Sequence, residues 1–426
     1  MYKSIDTECV QSGYAPANGE PRVLPIIQST TFAYDTPEEM GALFDLKKEG
    51  FFYTRISNPT SDGLEKKLTA LEGGSGAMTT ASGMSATALA IFNLAAAGDN
   101  FISVSTIYGG TYNLFNITLR RLGIDCRFVS NDTPAEQIEK LVDDRTRAIF
   151  IETIANPAGV IADFGKFAAI AEKYGIVLIC DNTIATPVLC RPFEWGANVV
   201  VHSSTKYLDG HATSVGGIIV DGGNFAYKGN PRYPLFNAPD ESYHGLVFAD
   251  AGKSAFILRV RTVINRDFGA VMSPMNAFLT NLGCETLHLR MQRHSENALK
   301  LATAMKKHPA VEWVKYASLE GDADYGRANK YLKDGLAAGM VSFGIKGGRE
   351  AAAKFQKELR LFRIVTHIAD ARSCVLHPAS TTHRQLSDAD LAAAGVPVNL
   401  IRLSVGLEGI EDVLQDVIGA LDASQK

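Results

Sequence analysis

Two stretches decide the fold: Val177-Leu178-Ile179-Cys180-Asp181-Asn182-Thr183 and Val199-Val200-Val201-His202-Ser203-Ser204-Thr205-Lys206. Each is a short apolar run that stops abruptly at polar and ionisable residues. Such runs suit strands of a parallel sheet covered on both faces, and ligands of open α/β sheets bind outside the carboxyl ends of their strands. The spacing therefore predicts a carboxylate, Asp181, and an amine, Lys206, at one edge of one sheet. Taken alone, the pair reads equally as a structural ion pair.

On either side, strand-like and helix-like segments alternate. They run through Phe101 to Ser105, a helix to Leu122, Cys126 to Val129, a helix from Pro134, Ala148 to Ile151, and a helix from Asp163 to Tyr174. That rhythm specifies an α/β architecture with a large, mostly parallel sheet. Residues 1–60 carry Pro16, Pro21, Pro25, Pro37 and Pro59 and no sustained period, and read as an arm. Regular structure is expected from Ser61-Asp62, which can cap a helix carrying Leu64, Leu68 and Leu71. Between Gly222 and Gly252 a Pro/Gly/Tyr-rich insertion reads as a long ordered loop. A long helix from about Gly283 to His308, strands at Val311 to Tyr316, Gly339 to Ile345 and Leu361 to Thr366, and helices near Glu350 to Arg360 and from Ile410 to Leu421 predict a smaller C-terminal α+β domain. The expected division is thus 1–60, 61–280 and 281–426.

The 426 residues exceed the roughly 100–200 of a single domain. Forty-two basic against 46 acidic residues leave a net charge of −4, which gives no field for nucleic acid or an anionic membrane. The start, Met1-Tyr2-Lys3-Ser4, lacks secretory or transit character, so a cytoplasmic location is expected. Six scattered cysteines with no CxxC pair, and histidines without HExxH, support neither a disulfide framework nor a metal site.

A lysine following Ser and Thr hydroxyls, with an upstream strand-end Asp, matches the needs of pyridoxal 5'-phosphate. The amine forms a Schiff base, the carboxylate keeps the ring nitrogen protonated, and hydroxyls take the phosphate. Ser203 and Thr205 alternate at the strand period and can face one ligand. Ser82-Gly83-Met84 opens an alanine-rich helix, whose N-terminus offers free N–H groups to a phosphate. Ser82-Gly83 is also what any capped helix looks like.

With these stand Tyr53-Thr54-Arg55-Ile56-Ser57-Asn58-Pro59-Thr60, Tyr108-Gly109-Gly110-Thr111, Asn156-Pro157, and His377-Pro378-Ala379-Ser380-Thr381-Thr382-His383. In this order the set resembles the Cys/Met-metabolism group of fold-type-I pyridoxal phosphate enzymes. The resemblance implies that Lys206 carries the cofactor and shuttles protons. It also implies that Asp181 pairs with the pyridinium, with Thr183 beside it, and that Tyr108 stacks on the ring and assists proton transfer. Gly83, Met84, Ser203 and Thr205 would hold the phosphate, and Asn156 the ring oxygen. Tyr53 and Arg55 would reach the phosphate of a neighbouring subunit, making a homo-oligomer, usually a tetramer built as a dimer of dimers. Arg402 lies in the apolar strand Leu400-Ile401-Arg402-Leu403, where an unpaired charge is costly. In the family this arginine forks onto the substrate α-carboxylate.

Within that group the resemblance implies γ-replacement: sulfide or a small thiol takes the place of acetate on O-acetyl-L-homoserine, giving homocysteine or methionine. The chain length, the insertion with Pro239-Asp240-Glu241-Ser242-Tyr243-His244-Gly245, and Pro378 to His383 favour that branch. Gly110 stands where methionine γ-lyases commonly carry cysteine. A carbon–sulfur lyase, or a cystathionine γ-synthase-like activity, is the enzymatic alternative. A protein that binds the cofactor without catalysis is the non-enzymatic one. One departure falls in Val365-Thr366-His367-Ile368-Ala369-Asp370, where relatives usually carry Ser or Asn at His367 and Gly at Ala369. His367 is therefore expected to alter the substrate pocket, unless it is a packed structural histidine.

Overall fold

The computed structural model describes the whole chain except Met1, Lys3, His383, Leu386, Ala389, Asp390 and residues 392–395. His383, the last residue of the His377 motif, thus lies outside the described residues. Seven strands form the larger sheet: β1 Gly76–Thr80, β2 Asn100–Val104, β3 Asp125–Val129, β4 Thr146–Glu152, β5 Val177–Asp181, β6 Val199–His202 and β7 Gly217–Asp221. Their order is β1-β7-β6-β5-β4-β2-β3. Strands β6, β5, β4, β2 and β3 pair in parallel, while β7 is antiparallel to both β1 and β6. Val177, Leu178, Ile179 and Cys180 are fully buried, as an apolar run between two helical layers must be.

Register carries the site. Glu152 stands opposite Asp181 across β4 and β5, and Asp181 opposite Val201 across β5 and β6. Lys206 follows four residues after β6 ends, in a turn where its N–H donates to Ser203 O at 3.2 Å. The helix Gly83–Leu94 begins three residues after β1, with Ser82 as its cap: Ser82 Oγ accepts from Ser85 N at 3.1 Å. Strand β7 lies beneath that cap because Gly217 has no side chain. A Cβ there would sit 2.1 Å from Ser82 O.

The second sheet comprises β8 Val311–Lys315, β9 Met340–Ile345, β10 Arg363–Ile364, β11 Cys374–Leu376 and β12 Leu400–Ser404, ordered β10-β11-β12-β9-β8. All its pairings are antiparallel except β10 with β11. The helices Gly348–Glu358 and Ile410–Ser424 pack on each other, and the latter also packs on the helix Leu287–Met305. Buried apolar residues from Leu64 to Leu421 form one continuous core through both sheets.

Several elements differ from the sequence reading. The arm contains helices Ile5–Gln11 and Pro37–Phe44. The next helix starts at Pro59 with Asn58 as cap, not at Ser61-Asp62; Asn58 Oδ1 accepts from Thr60 N and proline fits the first helical position. Strands β1, β7 and β11 were not anticipated. The long helix divides into Pro274–Glu285 and Leu287–Met305 at Thr286. Leu361 to Thr366 is extended in a ladder only at Arg363–Ile364. The insertion after Gly222 is ordered as expected, held by Tyr227 stacked on Phe236 at 4.2 Å and edge-on to Tyr233.

Gly217→Ala must push β7 or the Ser82 turn aside, at about 1–3 kcal/mol for overpacking. Calorimetry should show a lower Tm together with weaker cofactor retention. A variant as stable as the parent would mean that the turn yields freely.

Candidate active site

Lys206 is half-buried, and burial together with the Arg402 charge lowers its amine to about 8. Its Nζ lies 3.3 Å from His367 Nδ1. Asp181 closes β5, its Oδ1 accepting from Thr183 N at 2.9 Å, and Thr183 Oγ1 in turn accepts from Ser203 N at 2.8 Å. Thr183 thereby ties the ends of β5 and β6 together. Burial raises the Asp181 carboxyl, against the hydrogen bonds of Thr183 and the charge of His202.

Glu152 escaped the sequence reading. It accepts from Tyr108 N at 2.7 Å through Oε1 and from Asn156 N at 3.4 Å through Oε2. Burial first, then the charge of Asp181, raises its carboxyl well above the ordinary range. The signal was present: Ile149-Phe150-Ile151 ends in an acid as Leu178-Ile179-Cys180 does.

Tyr108 caps a short helix, Gly109–Asn113, with its ring folded back over Gly110. A Cβ on Gly110 would stand 2.5 Å from Tyr108 Cε1, so a larger residue there requires the ring to shift. Asn156 Oδ1 accepts from Arg402 Nη1 at 3.2 Å, and His367 O accepts from Arg402 Nη2 at 3.5 Å. Arg402 is 8% exposed, and among the described residues no carboxylate lies within ion-pair distance of it. Burial lowers its guanidinium, and such a cation is costly unless an anion arrives.

Gly83 and Met84 are the first two residues of their helix, so their N–H groups have no intrahelical partner. A Cβ on Gly83 would lie 2.5 Å from Ser203 Cβ, so glycine lets the helix start meet the Ser203 turn. The Met84 sulfur lies 4.0 Å from Thr111 Oγ1, which packs it beside the Tyr108 helix. The Thr205 hydroxyl is engaged by the chain itself, accepting from Gly216 N at 3.0 Å and donating to Gly216 O at 3.2 Å. Tyr53 and Arg55 stand apart. The Arg55 guanidinium lies 5.2 Å above the Tyr53 ring and donates to Arg266 O, and no hydrogen bond joins either to Lys206, Asp181 or the Gly83 turn.

The donor set fits pyridoxal phosphate. A buried carboxylate on a strand end suits a protonated ring nitrogen, and a lysine at the adjacent strand end supplies the amine. The helix start at Gly83 and Met84 offers a phosphate backbone N–H groups that have no intrahelical partner, and the unpaired Arg402 suits an amino-acid carboxylate.

Comparison with known proteins agrees with this arrangement. A family model for "Cys/Met metabolism PLP-dependent enzyme" matches residues 6–422. An O-acetyl-L-homoserine sulfhydrylase of Leptospira meyeri is 46% identical over 409 residues, covering 94% of this chain and 92% of that protein. O-acetyl-L-homoserine sulfhydrylase 1 of Thermus thermophilus is 45% identical over 423 residues, covering 98% and 99%. A crystal structure from Campylobacter jejuni, holding N'-pyridoxyl-lysine-5'-monophosphate, superposes with a TM-score of 0.95 at 39% identity, covering 98% of this chain and 99% of that one. With a match that spans nearly every residue, from the arm to the last helix, this chain belongs to the Cys/Met metabolism family of PLP-dependent enzymes.

Proposed function

We propose that this chain replaces the acetate of O-acetyl-L-homoserine with sulfide, giving homocysteine and acetate; a small thiol in place of sulfide would give the corresponding thioether, methionine in the case of methanethiol. The observation that carries the substrate is the near full-length likeness to proteins named O-acetyl-L-homoserine sulfhydrylase. The buried, anion-free Arg402 beside Lys206 supports an α-amino acid as the class of ligand.

Pyridoxal phosphate, when bound, supplies a sink for the electron pairs released at the substrate's Cα and Cβ. Lys206 would hold it covalently, Asp181 would face its ring nitrogen, and Gly83, Met84, Ser203 and Thr205, with Thr183 behind them, would shape its phosphate end. Arg402, oriented by its hydrogen bond to Asn156, would fork onto the α-carboxylate, and Asn156 would also serve the ring oxygen of the bound cofactor. Lys206 would remove the Cα proton of the bound substrate; an amine near 8 is unprotonated in a useful fraction at neutral pH. Tyr108 or Lys206 takes the Cβ proton, acetate leaves Cγ with its bonding pair, and hydrosulfide forms the new C–S bond. The two protons return to Cβ and Cα. His367 lines the same pocket through Lys206.

The division into an arm over 1–60, a cofactor domain over 61–280 and a C-terminal domain over 281–426 is part of the same reading. In it the arm delivers Tyr53 and Arg55 to a neighbouring subunit, and the holoenzyme is a homotetramer made of two dimers. Half-exposed Tyr53 and an Arg55 without an anionic partner among the described residues support that delivery.

Mass spectrometry of the cofactor-loaded enzyme should find homocysteine from O-acetyl-L-homoserine only when sulfide is added. If 2-oxobutanoate and ammonia dominate with or without sulfide, the lyase reading replaces this one. Lys206→Ala should abolish turnover, and normal turnover in that variant would remove Lys206 from the chemistry. Gly110→Cys should displace the Tyr108 ring and lower kcat by about 10-fold or more, read by steady-state kinetics; unchanged kcat would show that the ring position is not critical. Lys206→Ala and Arg55→Ala proteins, each inactive alone, should recover about a quarter of the parental activity when co-assembled, because half the dimers would hold one intact site. No recovery would place Arg55 in its own subunit's site.

A further inference from the structure

We infer that His367 is a positioning residue for proton transfer: its Nδ1 accepts a hydrogen bond from the protonated Lys206 and fixes Nζ at the seam where Asn156 and Arg402 meet. The inference rests on the proposed function only in taking Lys206 as the base.

Three observations carry it. Among the described residues, the only side-chain hydrogen bond of the imidazole is to Lys206 Nζ, at 3.3 Å, across 161 residues of sequence. The other ring nitrogen, Nε2, is buried with no partner among the described residues. With Nε2 unpartnered, Lys206 Nζ is the one polar group that the ring engages among the described residues. The backbone of the same residue is built into the site as well: His367 O accepts from Arg402 Nη2 and from the Cys374 thiol. One residue thus touches both the proposed base and the proposed carboxylate receptor.

The groups facing the ring are Lys206 from the turn after β6, Asp209 and Arg372 from the loops of the two sheets, and Asp370 three residues on, with Arg402 and Cys374 at its backbone. Burial, aided by the charges of Lys206 and Arg372 and opposed by Asp370 and Asp209, lowers the imidazole to about 4. The ring therefore stays neutral while Lys206 cycles. When the substrate Cα–H bond breaks, the proton forms the new bond to Nζ and the electron pair stays with the substrate–cofactor unit. The resulting ammonium points one N–H at Nδ1, and no proton moves onto the imidazole. Because the acceptor favours the charged amine, its loss lowers the Lys206 pKa.

Exchange of the α-proton in D₂O, followed by proton NMR on holoenzyme with L-methionine and with O-acetyl-L-homoserine, isolates this step from the fate of the γ-substituent. His367→Ala should slow exchange by about 10–100-fold, shift half-saturation by less than about threefold, and move the acid limb of the pH profile downward. His367→Asn, whose Oδ1 can stand near the place of Nδ1, should restore exchange to within about threefold. In protein labelled with ¹⁵N-histidine, with and without cofactor, the ring signal missing from the variant should report an unprotonated Nδ1 at pH 7 and still at pH 5. Wild-type exchange rates in His367→Ala, or a protonated Nδ1, would overturn the inference. Should His367→Ala fail to fold, the ring signal and His367→Asn decide. Exchange that depends on residue 367 in an enzyme that makes no homocysteine would sink the substrate reading and leave this one standing.

Discussion

The site is organised around charges that the fold buries before any ligand arrives. Asp181 and Glu152 stand side by side on neighbouring parallel strands, both raised by burial, while Lys206 and Arg402 are both lowered by it. Neither cation forms an ion pair with either carboxylate among the described residues. Buried charges of this kind are destabilising unless partnered, so the sheet must be rigid enough to hold them. The fully buried strands β4 to β6 supply that rigidity. Part of the polar cost is met by backbone N–H groups: those of Tyr108, Asn156 and Thr183 all donate to the two carboxylates. The same hydrogen bonds set the positions of Tyr108 and Asn156, so charge compensation and site geometry come from one arrangement.

Much of this was legible in the chain because the strand-end pattern is local. An apolar run ending in an ionisable residue located Asp181 and Lys206, and the same pattern would have located Glu152 had it been applied to β4. What escaped depended on tertiary partners. Strand β7 reads weakly because it is entered through Gly216 and starts at Gly217, which are glycine to clear Ser204 and Ser82 on other elements. Strand β11 is three residues long and exists by pairing with β12. The helix start at Asn58 was overlooked for Ser61-Asp62 because both are good caps, and only the proline at the first helical position separates them. The Thr205 hydroxyl, read as a ligand group from the strand period, also bonds with Gly216, a contact that periodicity cannot reveal.

The segment around His367 shows why a departure in sequence is informative once geometry is known. Ala369 has φ 66°, the left-handed region that glycine enters without cost and alanine does not. The alanine is retained there with its N–H donated to Ser404 Oγ at 2.8 Å, next to the strand that carries Arg402. This backbone bend presents His367 O to the guanidinium and His367 Nδ1 to Lys206. The two unusual residues are thus parts of one local structure.

The seam between the two sheets follows from the same logic. The proposed base, Lys206, comes from the large sheet and the proposed anion receptor, Arg402, from the small one, so their separation is only as well defined as the contacts joining the layers. Those contacts are predominantly backbone groups: Ala371 N donates to Gly210 O at 2.8 Å, Gly339 N to the Tyr207 hydroxyl at 2.9 Å, and Ser342 Oγ to Pro157 O at 2.9 Å. Gly210 is left-handed, at φ 71°, and a Cβ there would stand 2.1 Å from the Arg290 guanidinium, which itself donates to Tyr207 O. Two of these contacts lie within four residues of Lys206 and a third beside Asn156, while Ala371 lies within four residues of His367. Any shift of the small sheet therefore moves Arg402 and the His367 acceptor of Lys206 together, which in the proposed reaction keeps the substrate's Cα in register with the amine.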